Sequence, residues 1–368
     1  MSVMKRWQFW LGFLISVFFL YLVVRKLNLV DFWLALKTAN YWWLLPGVAV
    51  YFLAVWARAW RWHYLLRPVK SISTRTMFPI VAIGYMGNNI SPARAGEVLR
   101  AVVLKRREGV PVSASLATII VERIFDGVVM LGFIFINLSE LSRLTGVSLD
   151  IVKWKVSIQD VAIWGSVIFL GALTLFLLAA MFPRPTEKLA AMFVNSFVPW
   201  RRIDKTLGIV NRFLGGLESL RSPVDALMVF ATSVVIWLLE TGKYWFVMHA
   251  FLGHGFPVSF FTLMLMNGVV NLATTIPSAP GYVGTFDAPG IAVLSGYGVE
   301  TATATGYTLV LHIALWVPIT LLGAYYLARE GVKWGKDLEQ IKDENLIIQP
   351  AGQINSGEEI TAHGEVKE

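Results

Sequence analysis

Apolar segments, each close to the length that a helix needs to cross a bilayer, recur along this 368-residue chain. A transmembrane helix needs about 20 predominantly apolar residues. Hydrophobic residues make up 56% of the sequence and charged residues only 15%, far from the composition of a soluble domain. The sequence therefore predicts an all-α, multi-pass membrane protein with about eight hydrophobic segments. The clearest spans are residues 7–24, 44–65, 113–138, 161–182, 224–252 and 303–328.

Composition and motifs exclude several classes of chemistry. The chain has no cysteine, so it has no disulfide, thiolate metal site or cysteine nucleophile. Its net charge of +8 suits loops that face an anionic leaflet, and no basic run is interleaved with the aromatic side chains of a single-strand binder. A Walker loop and a Gly-x-Ser-x-Gly motif are both missing. We expect no catalytic residue, no cofactor, no metal and no nucleic-acid partner.

Two polar stretches, residues 88–100 and 274–287, contain proline and glycine and interrupt apolar segments. The segment before the first break, residues 77–90, is about 14 residues long and too short to span a membrane with confidence, and the second break has the same ingredients. We therefore expect each break to join two short helices that enter and leave on the same side, with the irregular backbone lining a cavity. The predicted re-entrant pairs are 77–90 with 96–105 and 257–276 with 289–297.

The distribution of basic residues predicts an orientation. Residues 183–222 carry an excess of lysine and arginine, so this loop, which has an amphipathic helical pattern, is expected in the cytoplasm. The protein is then expected in the cytoplasmic membrane with both termini on the cytoplasmic side. The near-neutral loop 139–160 is expected on the external side. The domain of residues 1–340 divides into two halves of opposite orientation, an inverted repeat. The halves are residues 1–138 and 161–328, and residues 341–368 are a predicted disordered tail.

Ionisable side chains inside apolar segments cost roughly 2.5–3.5 kcal/mol each and mark candidate functional positions. Glu122 and Asp126 share a helix face, and Arg123 can pair with Asp126. This cluster is either an internal ion pair or part of a polar cavity. If the cluster is part of a polar cavity, residues of the first break would complete that cavity, and the arginines of the cavity would suit a phosphate. The residues of the break that can join it are Arg94, Glu97 and Arg100.

Other charged residues have simpler interpretations. Glu240 and Lys243 lie on one helix face and predict a self-neutralising pair, with contact to substrate or a coupling ion as the alternative. Arg58 and Arg61 are predicted to extend to the cytoplasmic interface. His312, like His249, has no acidic residue at ligand spacing, so neither predicts a metal site. In the second break, Gly281 and Gly284 permit a tight turn near Asp287, with plain helix interruption as the alternative.

Three motifs occur in order: Pro92-x-Arg94-x-Gly96-Glu97-x-x-Arg100, Glu122-Arg123-x-x-Asp126 and Pro280-Gly281-x-x-Gly284-x-x-Asp287. With them, residues 7–328 resemble the membrane part of the lysylphosphatidylglycerol synthetase and flippase family, the multiple peptide resistance factor. The resemblance implies a lipid translocase built from inverted repeats with re-entrant helices. The substrate-binding positions that it implies are Arg94, Glu97, Arg100, Glu122, Arg123, Asp126, Pro280, Gly281, Gly284 and Asp287.

The chain departs from that family in two respects. Tyr282 stands where members usually have a second glycine, and Asp287 where they usually have glutamate, so its headgroup preference can differ. Only a short tail follows Ala328, where the family carries its soluble aminoacyl-transferring domain. We therefore expect no aminoacyl transfer by this chain.

The sequence predicts a flippase that moves a phospholipid or a lipid-linked anionic substrate across the cytoplasmic membrane. Two alternatives stay open. One is an intramembrane transferase that acts on a lipid or polyprenyl phosphate, with Glu97, Glu122 and Asp126 as acid–base candidates. The other is a membrane partner of a separate soluble enzyme that binds at residues 183–222. The expected partners are membrane lipids with an anionic headgroup, and a second copy of the chain is a further candidate.

Overall fold

A computed structural model describes residues 7–24, 27–91, 95–137, 148–151, 154–157, 182–197, 222–254, 256, 258–274 and 278–330, with single positions between 167 and 207. Its elements, in chain order, are α1 (Trp7–Val24), α2 (Leu29–Thr38), α3 (Leu44–Leu66), α4 (Thr74–Ile90), α5 (Ala95–Glu108), α6 (Val112–Ile136), β1 (Ser148–Ile151), β2 (Trp154–Ser157), α7 (Pro183–Phe197), α8 (Pro223–His249), α9 (Phe260–Ala273), α10 (Asp287–Gly296) and α11 (Thr301–Arg329). Short 3₁₀ turns cover Tyr41–Trp43, Leu252–His254 and Pro280–Tyr282.

The predicted helical class is confirmed, because the apolar segments that the structure describes are helices. By length and composition, Tyr41–Leu66, Val224–His249 and Thr301–Arg329 can each cross a membrane. Helix α6 is 25 residues long but carries three charged side chains near its middle. The predicted span 161–182 falls mostly outside the described residues, as does the predicted tail, 341–368.

Two short elements were not predicted. Helix α2 lies between the predicted spans 7–24 and 44–65, where no helix was predicted. The Asn28 side chain caps it by accepting the backbone N–H of Val30 at 3.0 Å. Strands β1 and β2 form an antiparallel hairpin within the predicted external loop 139–160, with Ser148 opposite Ser157. This hairpin is a local exception to the all-α prediction.

Ion pairs at helix ends define one face of the helical bundle. Lys70, between α3 and α4, pairs with Glu108 at the end of α5 at 3.0 Å. One residue earlier, Arg107 pairs with Glu330 at the end of α11 at 2.5 Å. The α4–α5 pair therefore begins and ends on the face where α11 ends.

The opposite face holds the start of α11. Near it, the Phe251 and Tyr307 rings meet edge to face at 6.0 Å, which brings the end of α8 to the first turns of α11. On the same side, the Asn40 N–H donates to the Ala250 carbonyl at 2.9 Å. Helix α9 follows α8 here, and α10 leads directly into α11. The α9–α10 pair therefore begins and ends on the face opposite to that of α4–α5.

Helices α4 and α5 touch backbone to backbone. A Cβ on Gly96 would lie 1.9 Å from the Gly84 carbonyl oxygen and 2.4 Å from the Asn88 backbone nitrogen. Only glycine fits at this position of α5. Its absent side chain is what allows the chain to turn back so closely after the first break.

Two apolar cores flank the interior of the bundle. One is built by α3, α4 and α5 around Trp62 and Met77. The other is built by α8, α9 and α10 around Phe251 and Leu263. Helix α11 contributes to both cores, with Ile319 in the first and Leu311 in the second. The two pairs of short helices are thus held against one shared helix.

Candidate functional site

A cavity of about 150 Å³ lies where the ends of α4 and α5 approach the turn before α10. Both polar breaks that the sequence singled out contribute to its wall. The aromatic residues of the wall are Tyr51, Tyr85, Trp237, Tyr244, Tyr282, Phe286 and Trp316. The charged residues of the wall are Arg58, Glu97, Arg100, Arg123, Glu240 and Lys243.

Six charged side chains from α3, α5 and α6 alternate in sign in one continuous network. Its three carboxylates balance three guanidinium groups, so the network is neutral. This alternation offsets the cost of placing charges in a low-dielectric interior. The contacts are Glu97–Arg123 at 3.2 Å, Arg123–Asp126 at 3.2 Å, Asp126–Arg61 at 2.6 Å, Arg61–Glu122 at 4.0 Å and Glu122–Arg100 at 2.5 Å.

Neutral neighbours fix the geometry of this network. The Trp237 indole N–H donates to Asp126 Oδ1 at 3.0 Å, and Arg61 donates to Ser233 Oγ at 2.9 Å. The Arg100 guanidinium lies 4.6 Å from the centre of the Trp62 ring, which adds a cation–π contact. Arg61 is 0% exposed. The predicted extension of Arg61 to the cytoplasmic interface is therefore wrong.

A second cluster joins α3 to α8. Arg58 Nη2 donates to Glu240 Oε1 at 2.9 Å, and the Lys243 ammonium donates to the other oxygen of Glu240. Lys243 also lies 4.4 Å from the centre of the Tyr51 ring. The predicted Glu240–Lys243 pair is present, but it is not self-neutralising, because Arg58 is a third member. Arg58, like Arg61, is buried, so its predicted extension to the cytoplasmic interface is also wrong. Two cations share one carboxylate, which leaves one excess positive charge in the cavity wall.

The second break is organised by Asp287, the first residue of α10. Its Oδ2 accepts the backbone N–H of Gly284 at 2.9 Å, and its Oδ1 lies 2.8 Å from His312 Nδ1. The other ring nitrogen of His312, Nε2, lies 2.7 Å from the Gly281 carbonyl oxygen. The turn contains three residues in the left-handed region, Gly281 at φ 76°, Tyr282 at 60° and Gly284 at 84°. Asp287 and His312 thus bridge the two ends of a tight turn.

The two breaks meet beside α11. Trp316 donates its indole N–H to the Asn89 carbonyl oxygen at 3.3 Å, and the Asn89 amide donates to Thr320 Oγ1 at 2.8 Å. A Cβ on Gly281 would lie 2.8 Å from Trp316 Nε1 and 3.5 Å from the Asn89 oxygen. Residues near the end of α4 and the turn before α10 therefore contact the same tryptophan.

The predicted residues occupy three kinds of position. Arg94 lies outside the described residues. Glu122 and Asp126 lie behind the wall and hold its arginines, and Gly284 and Asp287 shape the second break. Pro280 begins the turn beside the cavity. The predicted residues that line the cavity are Glu97, Arg100, Arg123, Glu240, Lys243 and Gly281.

Sequence reasoning missed the roles of Arg58, Arg61 and His312. Their partners are 182, 65 and 25 residues away along the chain, so no local spacing indicates the contacts. The available signal was their position inside apolar segments. Within the described ranges, no three histidine, aspartate or glutamate side chains are grouped so that they could hold a metal ion.

A sequence model of the lysylphosphatidylglycerol synthase transmembrane region matches residues 9–323. The chain belongs to this family. Together with the long apolar helices, this establishes a multi-pass membrane protein. Tyr282 has a φ of 60°, in the left-handed region that glycine adopts more readily than tyrosine.

Among similar proteins are a glycosyltransferase and several membrane proteins. The chain is 27% identical to Glycosyltransferase AglD of Haloferax volcanii over 76% of its own length and 47% of the relative's, so it spans about half of that protein. It is 25% identical to a UPF0104 membrane protein of Methanothermobacter thermautotrophicus, over 76% of this chain and 83% of the relative. It is 24% identical to a UPF0104 membrane protein of Methanocaldococcus jannaschii, over 67% of this chain and 95% of the relative.

Proposed function

We propose that this protein is a flippase, which moves a phospholipid or lipid-linked anionic substrate across the cytoplasmic membrane. The observation that carries the proposal is the excess positive charge of Arg58 and Lys243 around Glu240, in the wall of a cavity between two broken helix pairs. An uncompensated charge inside a membrane protein is unfavourable. A headgroup phosphate in the cavity would neutralise it, while the acyl chains stay in lipid.

The wall also offers hydrogen-bond donors. Arg58 Nε and Arg100 Nε are buried, and neither has a hydrogen-bond partner among the described residues. Buried donors without a partner cost about 1–3 kcal/mol each, so an oxygen ligand near them is favoured. Guanidinium groups match the geometry of phosphate oxygens.

The helix pairs supply a route for alternating access. We propose that α4–α5 and α9–α10 are re-entrant pairs of an inverted repeat, since they open on opposite faces of the bundle. A site between such pairs can be exposed to one leaflet at a time as one half moves against the other. The basic C-terminal end of α5, with Lys105 and Arg106, would lie at the cytoplasmic leaflet, on the same side as both termini of the chain.

Reconstitution tests the proposal. Purified protein in vesicles would be supplied with fluorescent phosphatidylglycerol or phosphatidylcholine, and transfer between leaflets followed by chemical quenching of the outer leaflet. We expect transfer that favours the anionic lipid. Lys243→Met removes the excess charge but keeps the Arg58–Glu240 pair, and should slow transfer by about tenfold, the effect of roughly 1.4 kcal/mol.

Lys37→Met is the matched control, because Lys37 is exposed on α2 and does not line the cavity. It should transfer lipid at the wild-type rate. The proposal fails if vesicles with folded wild-type protein transfer neither lipid faster than protein-free vesicles. It also fails if Lys243→Met and Lys37→Met have equal rates.

A second candidate function is intramembrane transfer onto a lipid or polyprenyl phosphate. The name of one relative, a glycosyltransferase, favours it. Of the three acid–base candidates, only Glu97 lines the cavity, because Glu122 and Asp126 are buried against arginines behind it. Mass spectrometry of lipids incubated with the protein and nucleotide- or polyprenyl-linked sugar donors would detect a product. Loss of that product in Glu97→Gln, with lipid transfer retained, would favour the transferase.

A further inference from the structure

The His312 imidazole lies between two oxygen atoms. Its Nδ1 is 2.8 Å from Asp287 Oδ1 and its Nε2 is 2.7 Å from the Gly281 carbonyl oxygen. Both distances are those of hydrogen bonds, and a carbonyl oxygen can only accept. Asp287 is 1% exposed and already accepts the Gly284 N–H through its other oxygen.

This geometry fixes how many protons Asp287 and His312 must hold together. A neutral imidazole has one N–H and one lone pair, and an ionised carboxylate has no donor. With both groups in these forms, one of the two contacts would bring lone pairs together at less than 3 Å. Both contacts are hydrogen bonds only if the pair carries one further proton, either as an imidazolium beside a carboxylate or as a neutral imidazole beside a protonated Asp287.

We propose that Asp287 and His312 form a binding site for one dissociable proton, and that this proton holds the second break closed and is the coupling ion of transport. The inference rests on the proposed function for its coupling part. When the proton leaves to water in the cavity, which His312 lines, one of the two contacts becomes repulsive. The turn between Gly281 and Asp287 then loses a bond that ties it to α11.

The turn that His312 holds also lies against the contact between the two breaks. Gly281 lies against Trp316, which also bonds the Asn89 carbonyl at the end of α4. Release of the turn from His312 would therefore loosen the contact between the two breaks. A site that opens when a proton leaves and closes when a proton binds couples proton movement to exposure of the cavity.

Within the part of the chain that the structure describes, neither Asp287 nor His312 makes an ion pair with the other charged side chains of the cavity wall. Among the described residues, the polar partners of the His312 ring are Asp287 and the Gly281 carbonyl alone, and the Phe286 ring packs at 4.6 Å. The ionisable side chains that face the same cavity from the surrounding elements are Tyr51 and Arg58 of α3, Tyr85 of α4, Glu97 and Arg100 of α5, Arg123 of α6, Glu240, Lys243 and Tyr244 of α8, and Tyr282 of the turn.

The absence of cysteine from the sequence permits a direct test. Thr285→Cys places a single thiol at a fully buried position of the turn, and Ser115→Cys places one at a fully buried position of α6, outside the cavity. The rate of maleimide modification would be measured for both between about pH 5 and pH 8, the range in which histidine changes its charge. The ratio of the two rates removes the rise in thiolate that both thiols share.

We expect this ratio to rise roughly two- to tenfold with pH, the change in local opening that loss of one hydrogen bond produces. Asp287→Asn should keep the ratio low at every pH, because an amide N–H can donate to His312 Nδ1 without a bound proton. His312→Phe removes both contacts and should keep the ratio high at every pH. A ratio that is constant in the wild type, or one whose pH dependence survives His312→Phe, overturns the proton site.

Lipid transfer in vesicles with a pH gradient tests the coupling. The wild-type rate should depend on the direction of the gradient, and the Asp287→Asn rate should not. A wild-type rate that ignores the gradient overturns the coupling. If the wild type transfers no lipid at all, the proposed function fails, whereas the thiol ratio still decides the proton site.

Discussion

Trp316 on α11 donates its indole N–H to the backbone carbonyl of Asn89 at 3.3 Å, and so ties the end of α4, at the first break, to the helix that both pairs of short helices share. The same nitrogen would lie 2.8 Å from a Cβ at Gly281. A larger residue at position 281 would therefore displace the tryptophan from Asn89. The two polar breaks therefore contact one side chain, that of Trp316.

Trp316→Phe should loosen this contact while it preserves the apolar packing of the ring. The lost hydrogen bond contributes about 0.5–1.5 kcal/mol. We expect faster amide hydrogen exchange in residues 87–91 and 279–284, measured by mass spectrometry, and unchanged exchange in α3. Trp42→Phe is the control, since Trp42 is 78% exposed. Equal exchange of the two breaks in both variants would contradict the assignment.

Asp126→Ala should destabilise the fold severely. Asp126 is buried and pairs with Arg61 and Arg123, so its removal leaves Arg61 in the interior without its nearest carboxylate. Loss of one partner of a buried pair costs about 3–5 kcal/mol in the free energy of unfolding. Denaturant titration in detergent measures it.

The control for Asp126→Ala is Glu330→Ala, which breaks the partly exposed pair with Arg107. Exposed pairs contribute about 0–1 kcal/mol. A loss of stability as small for Asp126→Ala as for Glu330→Ala would mean that Arg61 finds another partner in the folded state.

Gly96→Ala should prevent close packing of α4 and α5, because its Cβ would lie 1.9 Å from the Gly84 carbonyl oxygen. Overpacking of this kind costs about 1–3 kcal/mol or more, since backbone rather than a flexible side chain must move. Gly268→Ala on α9 is the control, as its Cβ meets no atom within 4 Å. The yield and thermal stability of folded protein should fall only for Gly96→Ala.

The helices were largely predictable because apolar runs and their interruptions are local signals. The sequence placed one span at residues 44–65 and the structure places α3 at Leu44–Leu66. It placed the first short helix at 77–90, where α4 covers Thr74–Ile90. Helix α2 was missed because Asp31 and Lys37 make its ten residues look like a loop.

The candidate site was predictable only in outline. Glu97, Arg100 and Arg123 were identified from their polarity within apolar surroundings, and they do share one cavity. Which charge meets which depends on the packing of α3 against α6 and α8, which no spacing along the chain encodes. For that reason Arg58 was assigned to the interface, and the partnership of His312 with Asp287 was not foreseen.

The alternating network behind the cavity also constrains how this protein can change over evolution. Asp126 contacts arginines of α3 and α6, and Glu122 contacts arginines of α3 and α5. A substitution of either carboxylate leaves an arginine on a different helix without its partner. Loss of the carboxylate is therefore tolerated only together with a change of that arginine. These residues should therefore diverge between relatives as a set, so that a lineage that replaces one of them replaces its partners as well.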